Sequence, residues 1–429
     1  MMGPILPAHP LVAKDVLLEI AKDYDRFKGG LPVQVEQFIL DKYGVDVSSR
    51  YGTTWIKNPF GKASGQLSVN VDQVKADVDA GLGFIVLKTV IAEDETGQRS
   101  MKEWAVKETR MIVSQITGKE DGELGWNVTW KGRGWYGTLE SYIHFFTAAL
   151  RSGQDHNTLI VPSCKYHLPG EDESCFHTKE YDFTTRALYR AWRDGGKTCP
   201  LQMEKDFSPT LAGSDMAKQK YTVLRWLRRV PELIKRALPD GEIQLGIKLM
   251  NSIFDDRFQL QSFRALLDEG VARPDYVIYA NRLYDARTPF LGKQGAAYGG
   301  PDLSTRNLRI LTALRRIEAQ GKLSEPVPPL SGTGNIHSGK MAVEYALRGA
   351  ESLQMHTIFQ RPNSAFGMHS GSKTERALHE LFFHPTLGLI AWMLHLKETE
   401  ELHCNQGIIR FSDAAAWHRE RGREYFQYI

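Results

Sequence analysis

From Asn58 onward the chain alternates short apolar or β-branched runs with helical segments, eight times over. The runs are roughly Lys62 to Ser68, Phe84 to Val90, Thr158 to Lys165, Leu201 to Phe207, Ile243 to Met250, Tyr276 to Leu283, Pro328 to Ile336 and Ser352 to Ile358. Helical patterns fall between them, among others at Asp72 to Ala80, Leu139 to Arg151, Thr184 to Arg193, Ala217 to Leu238, Gln259 to Glu269 and Leu303 to Ala319. Several approach the next run through a glycine, as at Gly81, Gly153, Gly195, Gly270 and Gly349, in the manner of helix C-caps. Eight β/α units in one series predict a (β/α)₈ TIM barrel of the α/β class rather than an open sheet.

The segment Val327 to Thr357, VPPLSGTGNIHSGKMAVEYALRGAESLQMHT, carries the most chemistry. An apolar run ends in Ser331-Gly332-Thr333-Gly334-Asn335, a helical segment follows from about Ser338 to Arg348, and Gly349-Ala350 turns into a second run. Glycines at a strand tip let backbone N–H groups approach an oxyanion, and the helix behind adds its positive dipole end. Such turns also occur simply where a parallel strand hands over to a helix, so a packing reading stands beside the phosphate reading.

Around the barrel the chain adds material. Residues 1–55 read as an N-terminal helical extension, with amphipathic patterns around Val12 to Phe27 and Val33 to Lys42. Residues 56–362 form the barrel, and 363–429 supply its last helix and a C-terminal extension, helical at Glu375 to His384 and Thr386 to His395. Long loops follow the second and sixth strands. Ile91 to Thr138 contains the aromatic and glycine-rich WNVTWKGRGWYG at 126–137, and Tyr284 to Asp302 contains Gly292, Gly295, Gly299 and Gly300. Both follow strand C-termini, where barrel active sites form, so each is a lid or pocket wall, or else a surface elaboration.

A net charge of +3 over 429 residues gives no electrostatic case for nucleic acid or an anionic membrane. The four cysteines, Cys164, Cys175, Cys199 and Cys404, include no Cys-x-x-Cys pair, so no metal site is expected and reduced thiols are the default. The N-terminus has no basic region followed by a continuous apolar segment. A soluble cytoplasmic protein without stable membrane insertion is expected, with a homodimer as the default assembly.

In a barrel of this kind the polar residues at strand C-termini are the functional candidates. Here they are Lys88 and Thr89, Cys164 and Lys165, Asp206 and Ser208, Lys248, Asn281 and Arg282, Gly332 to Asn335, and Thr357. Lys88 and Lys248 each end an apolar strand, GFIVLK and IQLGIK, where an inward lysine needs an anionic or electron-rich partner. The plainer alternative is a lysine facing solvent or paired with a carboxylate.

The series NPFGKASG (58–65), GFIVLKTV (83–90), Ser208-Pro209, GIKL (246–249), Asn281, Gly299-Gly300, SGTGNIHSG and GAESLQMHT resembles the dihydroorotate dehydrogenase superfamily of FMN-binding barrels over about residues 55 to 360. The resemblance implies a flavoprotein oxidoreductase. Lys88 and Lys248 would contact the flavin, where a cation near N1/O2 stabilises charge gained on reduction. Ala63, Ser64 and Gly65 would pack against the isoalloxazine, with Thr89 and Asn281 nearby. Gly299, Gly300, Gly332, Gly334, Asn335, His356 and Thr357 would cradle the phosphate, Asn335 and His356 being departures from the usual glycine-rich pattern. Ser208 falls at the family's catalytic base, with Asp206 and Lys248 as its catalytic neighbours.

The resemblance breaks at the substrate. Lys205 to Thr210 reads KDFSPT instead of an asparagine-flanked run, and only Asn281 of the expected substrate asparagines is kept. The expectation is therefore hydride transfer between FMN and a C–C bond of a small polar substrate other than dihydroorotate. Lys205, Arg133, Trp135, Asn281 and Arg282 are the substrate-binding candidates, with Trp130 and Tyr136 able to stack on it or close over it. True dihydroorotate dehydrogenase activity, or a non-redox barrel acting as a lyase or phosphate-ligand binder, are the alternatives. The electron acceptor or partner reductase is not legible, since no Gly-x-Gly-x-x-Gly fingerprint follows a strand.

Overall fold

The computed structural model describes the chain apart from residues 1–2, 106, 108–110, 131–133, 155, 208–218, 269, 291–292 and 429. Eight parallel strands close on themselves. They are β1 (Phe60–Lys62), β2 (Phe84–Val86, resuming at Val90–Ile91), β3 (Leu159–Val161, resuming at Ser163–Lys165), β4 (Leu201–Asp206), β5 (Ile243–Met250), β6 (Tyr276–Asn281), β7 (Leu330–Thr333) and β8 (Ala350–Met355). Each pairs in parallel with the next, and β8 returns to β1 with Met355 opposite Lys62. The chain is a (β/α)₈ barrel. The first strand lies earlier than expected, at Phe60–Lys62 rather than Lys62 to Ser68, because Pro59 directly before it and Gly61 within it mask its apolar pattern.

Two helices precede the barrel, α1 (Lys14–Arg26) and α2 (Val35–Tyr43), the second ending at Gly44 in the left-handed region. The barrel helices are α3 (Val71–Asp79), α4 (Leu139–Gln154), α5 (Thr178–Asp194), α6 (Lys220–Lys235), α7 (Asp256–Ala265), α8 (Pro301–Ala319), α9 (Gly339–Ala346) and α10 (Lys373–Phe383). Their starts follow capping chemistry. Asn70, Asp255 and Ser338 each accept a backbone N–H of the first turn, and Ser372 with Glu375 forms a capping box.

The barrel's lower interior is filled by aromatic rings set against glycines. Tyr51, from the short hairpin Ser49–Tyr51/Thr54–Ile56, lies 4.5 Å from the Phe84 ring and 5.0 Å from Tyr276. A Cβ at Gly61 would stand 2.4 Å from the Phe84 ring and one at Gly246 2.2 Å from that of Tyr276, so both positions need glycine to admit their neighbours. The two long loops contain β-hairpins: Met111–Thr117 with Leu124–Trp130 after β2, and Leu283–Phe290 with Lys293–Tyr298 after β6. Among the described residues no helix is long and apolar enough to cross a membrane.

Candidate functional site

A cavity of about 1000 Å³, its open mouth included, lies at the C-terminal ends of β6, β7 and β8. Asn281 and Arg282, Gly299 and Gly300, Thr333 to His337 and Gln354 to Ile358 line it in turn. Leu124 to Val128 of the first hairpin close one side, and Ala63 and Ser64 after β1 another.

The turns are built for close backbone approach. Gly300, Gly334 and Asn335 have φ of 78°, 111° and 51°. At Gly334 a Cβ would stand 2.8 Å from Asn307 Nδ2, so only glycine fits. Asn335 tolerates the left-handed region and donates from Nδ2 to Ser304 Oγ at 2.9 Å. Asn307 Nδ2 donates to Ala280 O and Thr333 O, both at 2.8 Å, pinning the β6 and β7 ends together. The positive helix end at this cradle belongs to α8, whose N-cap Gly300 leaves its first turn without a side-chain cap. The helix after β7, expected in that role, is capped by its own Ser338.

Of the residues expected at a flavin site, Ala63, Ser64, Asn281, Gly299, Gly300, Gly334, Asn335, His356 and Thr357 line this one cavity. The Gly299 N–H is committed to Asn127 Oδ1 at 2.9 Å and is not free for a phosphate. Gly332 is excluded: it lies within β7, and a Cβ there would meet the Tyr345 ring at 2.7 Å. Thr89 and Lys248 stand one side chain behind the wall, Thr89 Oγ1 at 2.7 Å from Ser64 Oγ and Lys248 Nζ at 2.7 Å from Gln354 Oε1.

Register decides which charges face inward. Ser163 is opposite Glu204 and Asp206 opposite Lys248, so Lys165, Glu204, Asp206 and Lys248 project into the barrel. Lys165 Nζ is 4.0 Å from Asp206 Oδ2, and Lys248 Nζ is 3.9 Å from Glu204 Oε2. Lys205, opposite Cys164, turns away from the interior and donates to Asp206 O at 3.0 Å. It is not a substrate contact, because one step along a strand reverses the face. Burial, reinforced by Lys165, pushes the Lys205 ammonium down to about 7, and burial does the same to Lys88.

His356 and Arg282 shape the ring end of the cavity. The His356 imidazole lies against Gly65, within 2.7 Å of where a Cβ would stand, so Gly65 is covered by it. Burial, with the Arg282, Lys62, Lys88 and Lys248 cations, holds that ring neutral with a pKa pushed down to about 3. Arg282 donates to Val128 O of one hairpin and lies 3.5 Å from Ala297 O of the other. Burial lowers its pKa to about 9.

Trp135 is not a pocket residue. Its ring stacks on Phe145 of α4 at 5.3 Å and 2°, and its Nε1 donates to Ser141 Oγ, so it packs the loop base onto the barrel wall. Tyr136 is exposed. Ser208 and Arg133 lie outside the described residues. Residues that sequence reasoning missed are Glu204, Gln354 and Tyr51, which join Lys248 in one network; a glutamate inside the apolar run LQMEKDF was the available signal.

These residues fit FMN at its phosphate end, where glycine turns and an uncapped helix start converge. At the ring end the His356 imidazole covers Gly65. The fold matches that of a DHODH from Eimeria tenella solved in complex with ferulenol, with a TM-score of 0.52 over 97% of this chain and 98% of that one, at 12% sequence identity. No protein-family model and no curated protein matches the sequence. The chain therefore has the α/β barrel fold of the dihydroorotate dehydrogenase type.

Proposed function

We propose that this chain is an FMN-dependent oxidoreductase that moves hydride between the flavin and a C–C bond of a small polar substrate other than dihydroorotate. One observation carries the reading: Gly300, Gly334, Asn335 and Thr357, from three successive strand ends, line a single cavity that also reaches Ser64 and Gln354. FMN, when bound, supplies the hydride acceptor or donor. The chain's own residues position it and handle protons. The left-handed turns and the α8 start offer main-chain donors and a positive dipole to a phosphate. Lys248, held by Gln354 and faced by Glu204, offers a fixed cation at the opposite end. Asp206, with Lys165 beside it, is the inward acid at the C-terminal end of β4, two residues before Ser208, and we assign it the proton exchange with substrate. The first hairpin forms one side of the cavity. The electron acceptor is a separate molecule, and a cytoplasmic homodimer is the working form.

A second reading, a barrel that holds a phosphorylated ligand without flavin, is favoured by the imidazole of His356 against Gly65. The visible spectrum of the purified protein, with mass spectrometry of what denaturation releases, separates the two. Absorption near 450 nm and about one equivalent of FMN support the first. A colourless protein that takes up no added FMN sinks it and leaves the second.

A further inference from the structure

Glu204 is fully buried in the barrel interior, where a carboxylate is expensive and an apolar side chain would pack as well. Its Oε1 accepts from the Tyr51 hydroxyl and from Gln354 Nε2. Gln354 Nε2 also lies 3.0 Å from the Tyr51 oxygen, so the amide nitrogen is fixed on the Glu204 and Tyr51 side. Its Oε1 must then face the opposite way, and there it accepts from Lys248 Nζ at 2.7 Å. Glu204 Oε2 makes no hydrogen bond among the described residues and stands 3.9 Å from the same ammonium. Gln354 lines the cavity, so the chain Tyr51, Glu204, Gln354, Lys248 runs from the barrel's closed interior to the edge of the site.

We infer that Glu204 is a positioning residue for Lys248: it orients the Gln354 amide that holds the ammonium and supplies that ammonium's counter-charge at the cavity. This deepens the flavin reading and rests on it. The consequence is electrostatic. A cation balanced by a carboxylate 3.9 Å behind it presents a weaker field to a bound ring than an unbalanced one. In Glu204→Gln the new side chain keeps its oxygen toward Tyr51 and Gln354, which both donate. Its NH₂ then falls where Oε2 was, facing an ammonium that it cannot accept from. Lys248 is left in place but uncompensated.

Two measurements on the full chain test this. With FMN loaded, the midpoint potential of Glu204→Gln should rise, because reduced flavin gains more from the unbalanced cation than oxidised flavin does. A tenfold change in that preference corresponds to about 30 mV for a two-electron couple. A role in packing alone would leave the potential where it was, so an unchanged potential overturns the inference. In the flavin-free protein, urea unfolding of Glu204→Gln, Lys248→Met and the double variant forms a cycle. Non-additive losses, with the double variant recovering at least a tenfold part of the summed loss in the folding equilibrium, support the pairing, and additive losses overturn it. If neither wild type nor variant takes up FMN, the flavin reading has failed and the inference falls with it, while the cycle still reports whether the pairing itself is real.

Discussion

At His356 one imidazole covers Gly65, the glycine that sequence resemblance sets against a flavin ring, and burial together with four nearby cations keeps it neutral. Replacing it by alanine removes the ring at a backbone position whose negative φ makes no demand for glycine. His356→Ala is expected to bind FMN about tenfold more tightly, read by quenching of flavin fluorescence on titration; weaker binding would mean that the imidazole holds the flavin rather than displaces it. Residue by residue, the site was unevenly legible. Gly334 and Asn335 were readable as cavity-lining residues because a strand-end glycine turn is written in a few consecutive residues. Glu204, Gln354 and Tyr51 were not, because their contacts join positions 150 to 303 residues apart, which no local pattern encodes. Lys205 misled for a related reason: its sequence position matched a substrate contact, but β4 register turns it outward.

Among the elements, the strand and helix series was readable from period and glycine punctuation, whereas the two hairpins were read as loops. Met111–Thr117 exposes both faces in part, so it lacks the inward-outward alternation that marks a strand on a core. The first hairpin is tied to the end of β6 and to the start of α8. Arg282 bonds to Val128 O, Asn127 Oδ1 accepts from Gly299 N at 2.9 Å, and Lys119 N donates to Asp302 Oδ1 at 2.6 Å. Of these ties Arg282 reaches both hairpins, at Val128 O and Ala297 O, and leads directly off β6. Arg282→Met keeps the stem's bulk and deletes the donors, leaving the Val128 carbonyl without its partner at a cost of about 1–3 kcal/mol. The expected outcome is faster limited proteolysis and faster amide exchange confined to residues 111–130 and 283–298, with the barrel unchanged. Uniform loss of protection across the barrel would show that Arg282 supports the whole fold instead.

At the scale of the whole molecule, the extensions join each other and pack on the barrel's outer helices. Val45–Asp46 pairs in parallel with Ile409–Arg410, joining the two extensions, and Glu344 of α9 accepts the N–H groups of Ile5 and Leu6. The C-terminal helices Phe411–Ala416 and Gly422–Tyr428 follow, and between them His418 is driven into a basic corner beside Arg315 and Arg419. Its Nδ1 donates to Ala415 O at 2.9 Å, and its Nε2 accepts from Arg419 Nε at 3.2 Å. A second proton could go only onto Nε2, against a guanidinium that already donates there. Burial and these cations accordingly push its pKa down to about 2, while in the unfolded chain it titrates near the ordinary histidine value of about 6.5. Below that value the unfolded state binds a proton that the folded state refuses, so stability is fully present above pH 6.5 and is lost as the medium is acidified. By pH 5 the loss from this one group is about 2 kcal/mol. The raised carboxyls of Glu204, Glu180 and Glu351 act in the opposite sense, since they bind protons first in the folded state, but they do so equally in a variant that keeps them. Urea unfolding of wild type and His418→Gln at pH 7.5 and pH 5.0 isolates the histidine. The wild type should lose about 2 kcal/mol more than the variant between the two conditions, whatever the variant's stability at the higher pH. Equal losses would mean that His418 is protonated in the folded chain and that the corner opens to admit a counter-ion.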